Sequence, residues 1–155
     1  MTPTTVIRPL DVEDLETIVG IEQQAHAYPW KKSIHLSCIE QGYPSLVLEQ
    51  DRAITAYVVF NYLYDECHLM NITTKPSLQG RGYASQLIQT LYQHSALAGM
   101  SSVLLEVRES NHPALSFYAK EGFEKIGHRP DYYPKGLDRE GAVVMRRSLS
   151  DFLLS

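Results

Sequence analysis

NITTKPSLQGRGYA, residues Asn71–Ala84, joins a strand to a helix through a glycine-rich turn. Leu69 to Thr74 reads as a strand end, Lys75-Pro76 turns the chain, and Gln79-Gly80-Arg81-Gly82-Tyr83-Ala84 opens a helix. The helix continues as SQLIQTLYQHSAL, with Leu87, Ile88, Leu91 and Tyr92 spaced along one apolar face. Ser102 to Arg108, SVLLEVR, reads as a strand again. The succession 68–74, 83–98 and 102–107 therefore predicts two parallel strands joined by a right-handed crossover. Gly80 and Gly82 have two possible roles here. They supply positive φ for a tight turn, or they let the backbone approach a ligand closely. In the second case the unpaired N–H groups and dipole of the helix start make an anion site, most often for phosphate, and Arg81 adds a cation. There is no GxxxxGK[ST] loop. The dinucleotide signature is also incomplete, lacking its third glycine and the acidic residue about 20 positions on. A phosphate-bearing ligand of another kind is expected.

N-terminal to this stretch, Thr4 to Arg8 is a short strand, and Asp11 caps a helix with Val12, Leu15, Ile18, Val19, Ile21 and Ala25 at helical spacing. Pro29 ends that helix near His26, leaving His26-Ala27-Tyr28-Pro29-Trp30 as an aromatic loop. Ile34 to Glu40 is a second short helix. Ser45–Glu49, Ala53–Tyr64 and His68–Thr74 are strands whose short links imply antiparallel neighbours. C-terminal to Arg108, Asn111 caps a helix from His112 to Glu121 that has Pro113 at its start and Gly122 at its end. Phe123–His128 and Gly141–Arg147 are the last strands, separated by a long Tyr/Pro-rich loop, RPDYYPKGLDRE. The fold class is thus α/β (α+β): a single domain over 1–155 with a mixed central sheet of six to seven strands and helices on both faces.

Composition narrows the class. The 155 residues are 44% hydrophobic and 21% charged, which suits one globular domain. A net charge of −4 argues against a nucleic-acid partner, since such modules carry a basic excess. No apolar run nears the ~20 residues a bilayer span needs. The start, MTPTTVIRPLDVEDLE, has no secretory h-region. Cys38 and Cys67 are too few and too scattered for a disulfide framework or a zinc site, and the six histidines do not cluster at ligand spacing, so no metal is expected. A cytoplasmic enzyme or binding protein is the simplest class.

Ligands of α/β sheets bind beyond the carboxyl ends of parallel strands, here Asn71–Thr74 and Glu106–Arg108. Glu106 interrupts the apolar run Val103-Leu104-Leu105-Glu106-Val107. Either it lies on a solvated strand face, or it is a shielded carboxylate whose raised pKa suits a general base. Phe117 and Tyr118 are core aromatics, or Tyr118 offers a phenol to a leaving group. No Ser or Cys occupies a nucleophile elbow.

These residues resemble the GCN5-related N-acetyltransferases (GNAT). Gln79-Gly80-Arg81-Gly82-Tyr83-Ala84 fits the family's Q/R-x-x-G-x-G/A loop, with Gln79 and Ala84 as its less common members. Leu105 to Asn111, then Ala114, Phe117-Tyr118 and Gly122-Phe123, fit its second block, though Glu109 stands where a small residue is expected. IEQQAHAYPW at 21–30, Asn71-Ile72, LEVRESN and Asp131-Tyr132-Tyr133-Pro134 are similar to the bacterial ribosomal-protein alanine N-acetyltransferases. The resemblance implies a GNAT-like fold with acetyl-coenzyme A (acetyl-CoA) as co-substrate and no metal. It implies that Ile72, Thr73 and Thr74 pair with the pantetheine arm, that Gly80, Arg81, Gly82, Tyr83, Ala84 and Ser85 grip the pyrophosphate, and that Asn111 contacts the cofactor. Glu106 becomes the general base and Tyr118 the general acid.

The implied acceptor is the N-terminal alanine of small-subunit ribosomal protein number eighteen, which has a basic tail. Asp65, Glu66, Glu109 and Asp131 are expected near the site, and Trp30, Tyr132 and Tyr133 over a small first side chain. Neither nucleic acid nor membrane is a direct partner. Two alternatives stay open: a lysine side chain or small amine as acceptor, and a non-catalytic coenzyme A-binding module.

Overall fold

The computed structural model describes residues 4–153. Its elements are β1 (Thr5–Pro9), α1 (Leu15–Ala25), α2 (Lys32–Glu40), β2 (Leu46–Gln50), β3 (Ala53–Leu63), β4 (Glu66–Thr74), α3 (Tyr83–Leu97), β5 (Ser102–Arg108), α4 (His112–Lys120), β6 (Glu124–Lys135), β7 (Asp138–Ser148) and the short α5 (Ser150–Leu153). The strands form one mixed sheet in the order β1-β2-β3-β4-β5-β7-β6. β4 pairs with β5 in parallel, Glu66 to His68 against Ser102 to Leu104, as the strand–helix–strand pattern requires. The elements divide into two compact units. One comprises the chain to Asn61 with Leu69–Leu91, the other Tyr62–His68 with the chain from Tyr92.

In the first unit, Ile18 and Ile21 of α1, Cys38 of α2, Val47 of β2 and Tyr57 and Val59 of β3 form a core cluster. Strand side chains alternate faces, so Leu46, Leu48, Ala56, Val58 and Phe60 point the other way, and these are fully buried too. Both faces of this part of the sheet are therefore covered. The predicted apolar face of α3 is also inside, with Leu87, Ile88 and Leu91 at 0% exposure. Each such side chain contributes about 1.5–3 kcal/mol.

The start of α1 is pinned electrostatically. Arg8 of β1 donates to both Asp14 oxygens at 2.8 Å and to Glu49 of β2 at 2.6 Å. Asp11 and Asp14 also cap the helical turn reciprocally. The Arg8 guanidinium holds the Asp14 carboxyl below the usual aspartate range. Asp14→Asn is expected to cost about 1 kcal/mol at neutral pH. A folded pKa below the unfolded one stabilises above the unfolded value, about 3.9, and that stability is lost as pH falls further. Chemical denaturation should show the wild-type advantage at pH 7 and its shrinkage below about pH 4.

In the second unit, β5 pairs along its length with β7, and β7 with β6. Val103, Leu105 and Val107 are buried, while Leu104, Glu106 and Arg108 share the half-buried face. Tyr92, Tyr118, Phe123 and Phe152 pack edge-on or tilted at centroid distances of 5.4–6.2 Å.

One expected loop is a hairpin. Residues 129–140 extend β6 and β7, with Tyr133 opposite Glu140, Pro134 opposite Arg139 and Lys135 opposite Asp138. The two-residue turn has Gly136 at φ 58°. Prolines argue against a central strand, but β6 is the edge strand, where a missing N–H costs no ladder bond. Pro130 lies within the register shift between Arg129 and Tyr133, where Asp131 takes φ 52°.

Candidate active site

Glu106 of β5 faces an aromatic and basic cluster built by this hairpin. Its side chain is 15% exposed, and Arg129 Nη2 lies 3.7 Å from Oε1. The Tyr132 hydroxyl donates to the carboxylate, which raises the Tyr132 pKa. Tyr132 meets Tyr133 edge-on at 4.9 Å, and the Arg129 guanidinium lies 5.4 Å from the Tyr132 ring. Arg139 fixes the bulge by donating to the Asp131 and Tyr132 carbonyls at 2.7 and 3.0 Å.

Arg108 holds the far side of the cluster. It stacks 4.6 Å over Tyr133 and donates to the Pro134 carbonyl at 2.8 Å and to Glu140 at 3.1 Å. Glu140, only 6% exposed, also accepts from the Ser110 backbone at 3.3 Å. Hydrogen bonding to Ser110, with help from Arg108, keeps its carboxyl below the ordinary glutamate value.

Tyr118 is buried in α4 between Phe117 and Phe123. Burial raises its phenol well above the usual value, with Tyr133 adding to the effect. Burial and then the Glu106 charge push Tyr133 up to about 12. Chemically, the cluster offers a carboxylate that is 15% exposed and a Tyr118 phenol that stays protonated across the neutral range. Asn111 caps α4, its side chain accepting from Ala114 at 3.3 Å.

The other predicted residues lie in the first unit. Ile72, Thr73 and Thr74 end β4, and Tyr83, Ala84 and Ser85 form the first turn of α3. Gly80 and Gly82 take φ 79° and 84°, and Arg81 is exposed. The Gly82 carbonyl accepts from Gln86 at 3.1 Å, so this glycine starts the helix directly. A helix start that follows two left-handed glycines, beside an exposed cation, suits a pyrophosphate.

One expectation about charge is corrected. Asp65 and Glu66 lie at the start of β4, the opposite end of the strand from Thr74, and Glu66 bonds Ser102 at 2.8 Å. Strand direction, which the charge pattern does not carry, separates them from the strand's carboxyl end. Glu109 pairs with His128 at 2.7 Å, a hydrogen bond that lowers its pKa.

Glu22 escaped the sequence reading. It is 2% exposed on the apolar face of α1, accepting from the Trp30 backbone at 2.9 Å, from Asn71 at 2.8 Å and from the Tyr57 hydroxyl. Its signal was present, because a carboxylate four residues after Ile18 interrupts the apolar stripe. His35 is buried beside it, tilted against Trp30 at 5.1 Å. Burial lowers the His35 pKa.

Burial pushes the Cys67 thiol up to about 12 and raises that of Cys38, so neither supplies a thiolate at neutral pH. Among the described residues, no three His, Cys, Asp or Glu side chains group to hold a metal ion, and no helix is long and apolar enough to cross a membrane.

The sequence pattern of the acetyltransferase (GNAT) family matches residues 8–123. The ribosomal protein bS18-alanine N-acetyltransferase of Escherichia coli is 33% identical over 144 residues, covering 93% of this chain and 97% of its own. A crystal structure of the Escherichia coli ribosomal-protein-S18-alanine N-acetyltransferase superposes with a TM-score of 0.88 at 32% identity, over 95% of both chains. An N-acetyltransferase of Thermoplasma acidophilum, solved with coenzyme A, shares the fold alone, with TM-score 0.77 and 19% identity over 94% of this chain and 99% of its own. The glycine-opened helix after β4, the shielded carboxylate of β5 and these likenesses agree: the chain is an acetyltransferase of the GNAT family.

Proposed function

We propose that this enzyme is a single acetyl-CoA-dependent N-alpha-acetyltransferase domain over residues 1–155. In this reading it acts in the cytoplasm on the N-terminal alanine of a small-subunit ribosomal protein like that of its relatives. The observation that carries the mechanism is Glu106, a carboxylate 15% exposed that accepts from the Tyr132 hydroxyl and has the Arg129 guanidinium 3.7 Å away. A protein α-amine has a pKa near 8, so at pH 7 most of it is protonated and not nucleophilic. Glu106 takes that proton, directly or through water. The amine nitrogen attacks the thioester carbon, the C–S bond breaks, the leaving thiolate takes a proton from Tyr118, and the second proton shed by the nitrogen passes through solvent to restore the Tyr118 phenol. Backbone N–H groups of Ile72–Thr74 polarise the carbonyl and pair with the pantetheine arm. Gly80, Arg81, Gly82, Tyr83, Ala84 and Ser85 hold the pyrophosphate, and Asn111 contacts the same co-substrate. Residues 26–30 border the acceptor. The net charge of −4 favours a basic tail, and acceptor affinity is expected to fall with added salt.

Transfer is tested with two peptides. One has a free alanine followed by arginines and no lysine. The other has a blocked N-terminus and one internal lysine. Transfer to the first supports the proposal, and transfer to the second alone overturns the acceptor. The loop assignment has its own test. An alanine at position 82 would meet no atom within 4 Å, so Gly82→Ala carries only the left-handed backbone cost of about 1 kcal/mol. Calorimetry should find acetyl-CoA bound about fivefold more weakly, with Tm lower by only about 2–4 °C.

A further inference from the structure

The network around Glu22 reaches the loop proposed to border the acceptor. Each hydrogen bond to its carboxylate comes from a donor, and the ring nitrogens His26 Nε2 and His35 Nε2 stand 3.8 Å from Oε1. Oε2 takes the backbone N–H of Trp30 at 2.9 Å. Oε1 takes the Asn71 amide at 2.8 Å and the Tyr57 hydroxyl. From Asn71 the chain of bonds runs in one direction only. The Asn71 NH₂ is committed to Glu22, so its oxygen accepts the Thr73 hydroxyl at 2.8 Å. The single Thr73 proton is then used, and His26 Nε2, at 2.8 Å, must be the donor to that oxygen. Glu22 therefore grips the 26–30 loop at both ends: Trp30 through Oε2, and His26 through Asn71 and Thr73.

We infer that Glu22 is a positioning residue for the acceptor: its carboxylate locks loop 26–30 onto α1 and β4 and holds His26 as its Nε2–H tautomer. Only a carboxylate offers acceptors in both directions. A glutamine must turn its NH₂ towards one arm. The Oε1 arm has two donors and the Oε2 arm one, so the amide faces Trp30 and that end of the loop is released. This inference rests on the reading that residues 26–30 border the acceptor, while Trp30 and His26 report on Glu22 independently of any substrate.

Trp30 is the only tryptophan in the chain, so emission excited at the red edge of the tryptophan band, beyond the absorption of the tyrosines, reads the loop alone. In Glu22→Gln, acrylamide quenching of Trp30 should rise at least about twofold while the fold is retained. The acceptor KM should rise about tenfold with kcat within about threefold and acetyl-CoA affinity unchanged. Thr73→Val severs the second arm without touching Glu22, and ¹⁵N NMR should then show His26 losing its Nε2–H preference. Unchanged quenching in folded Glu22→Gln would overturn the inference. So would a wild-type His26 in the Nδ1–H form, or a parallel loss of acetyl-CoA affinity and kcat. If the wild type modifies no alanine peptide while the Trp30 and His26 signals behave as stated, the acceptor reading fails and the lock stands.

Discussion

Glu106→Gln lowers kcat for transfer to the alanine peptide by about 10²–10⁴-fold and leaves the acetyl-CoA Kd within about twofold. Glutamine keeps the size and one acceptor for the Tyr132 hydroxyl, so the hairpin's packing is retained. It cannot take a proton from the incoming ammonium. The defect should therefore depend on pH. The acceptor amine loses its own proton near pH 8, and above that value the base has less to do. Steady-state kinetics from pH 6 to 10 should show the gap between wild type and variant narrowing as pH rises. A constant gap across that range would mean that Glu106 orients the amine rather than deprotonating it. Wild-type turnover would remove it from the mechanism.

Tyr118→Phe is expected to lower kcat by about 10–10²-fold, less than the loss of the base. Burial keeps the Tyr118 phenol protonated far above neutral pH, so it serves as a donor and not as a base. The leaving thiol has a pKa near 8.5 by analogy with cysteine, and protonating it matters most where the thiolate is a poor leaving group. An acyl donor with a more acidic thiol should shrink the deficit. Phenylalanine preserves the ring contacts with Phe117 and Phe123 at 5.4 and 5.6 Å, so Tm should hardly move. A deficit independent of the leaving group, or a large fall in Tm, would make Tyr118 a packing residue.

Local pattern was enough for most of the scaffold. Helical spacing at Leu87, Ile88 and Leu91 marked the buried face of α3, and the strand–helix–strand order implied the β4–β5 parallel pair. The glycine turn was readable because Gly80 and Gly82 need a left-handed backbone that few other residues adopt. Glu106 was visible as a carboxylate in an apolar strand, although the sequence could not choose its face until the alternation along β5 was known.

What escaped depended on partners distant in the chain. Glu22 is a suitable buried acceptor only because Asn71, 49 positions away, and Tyr57, 35 away, point donors at it. The hairpin of 129–140 was read as a loop because its prolines and charges oppose a central strand, whereas an edge strand with a bulge tolerates them. Glu140 followed from the same error. Within a loop it is one more surface charge, but opposite Tyr133 it becomes a partner for Arg108.

The most direct measurement gives the enzyme acetyl-CoA and one peptide carrying both a free N-terminal alanine and an internal lysine. Tandem mass spectrometry then locates the acetyl group. A single acetyl group is expected on the alanine nitrogen, lost in Glu106→Gln at pH 7. An acetyl group on the lysine with the alanine untouched would contradict it.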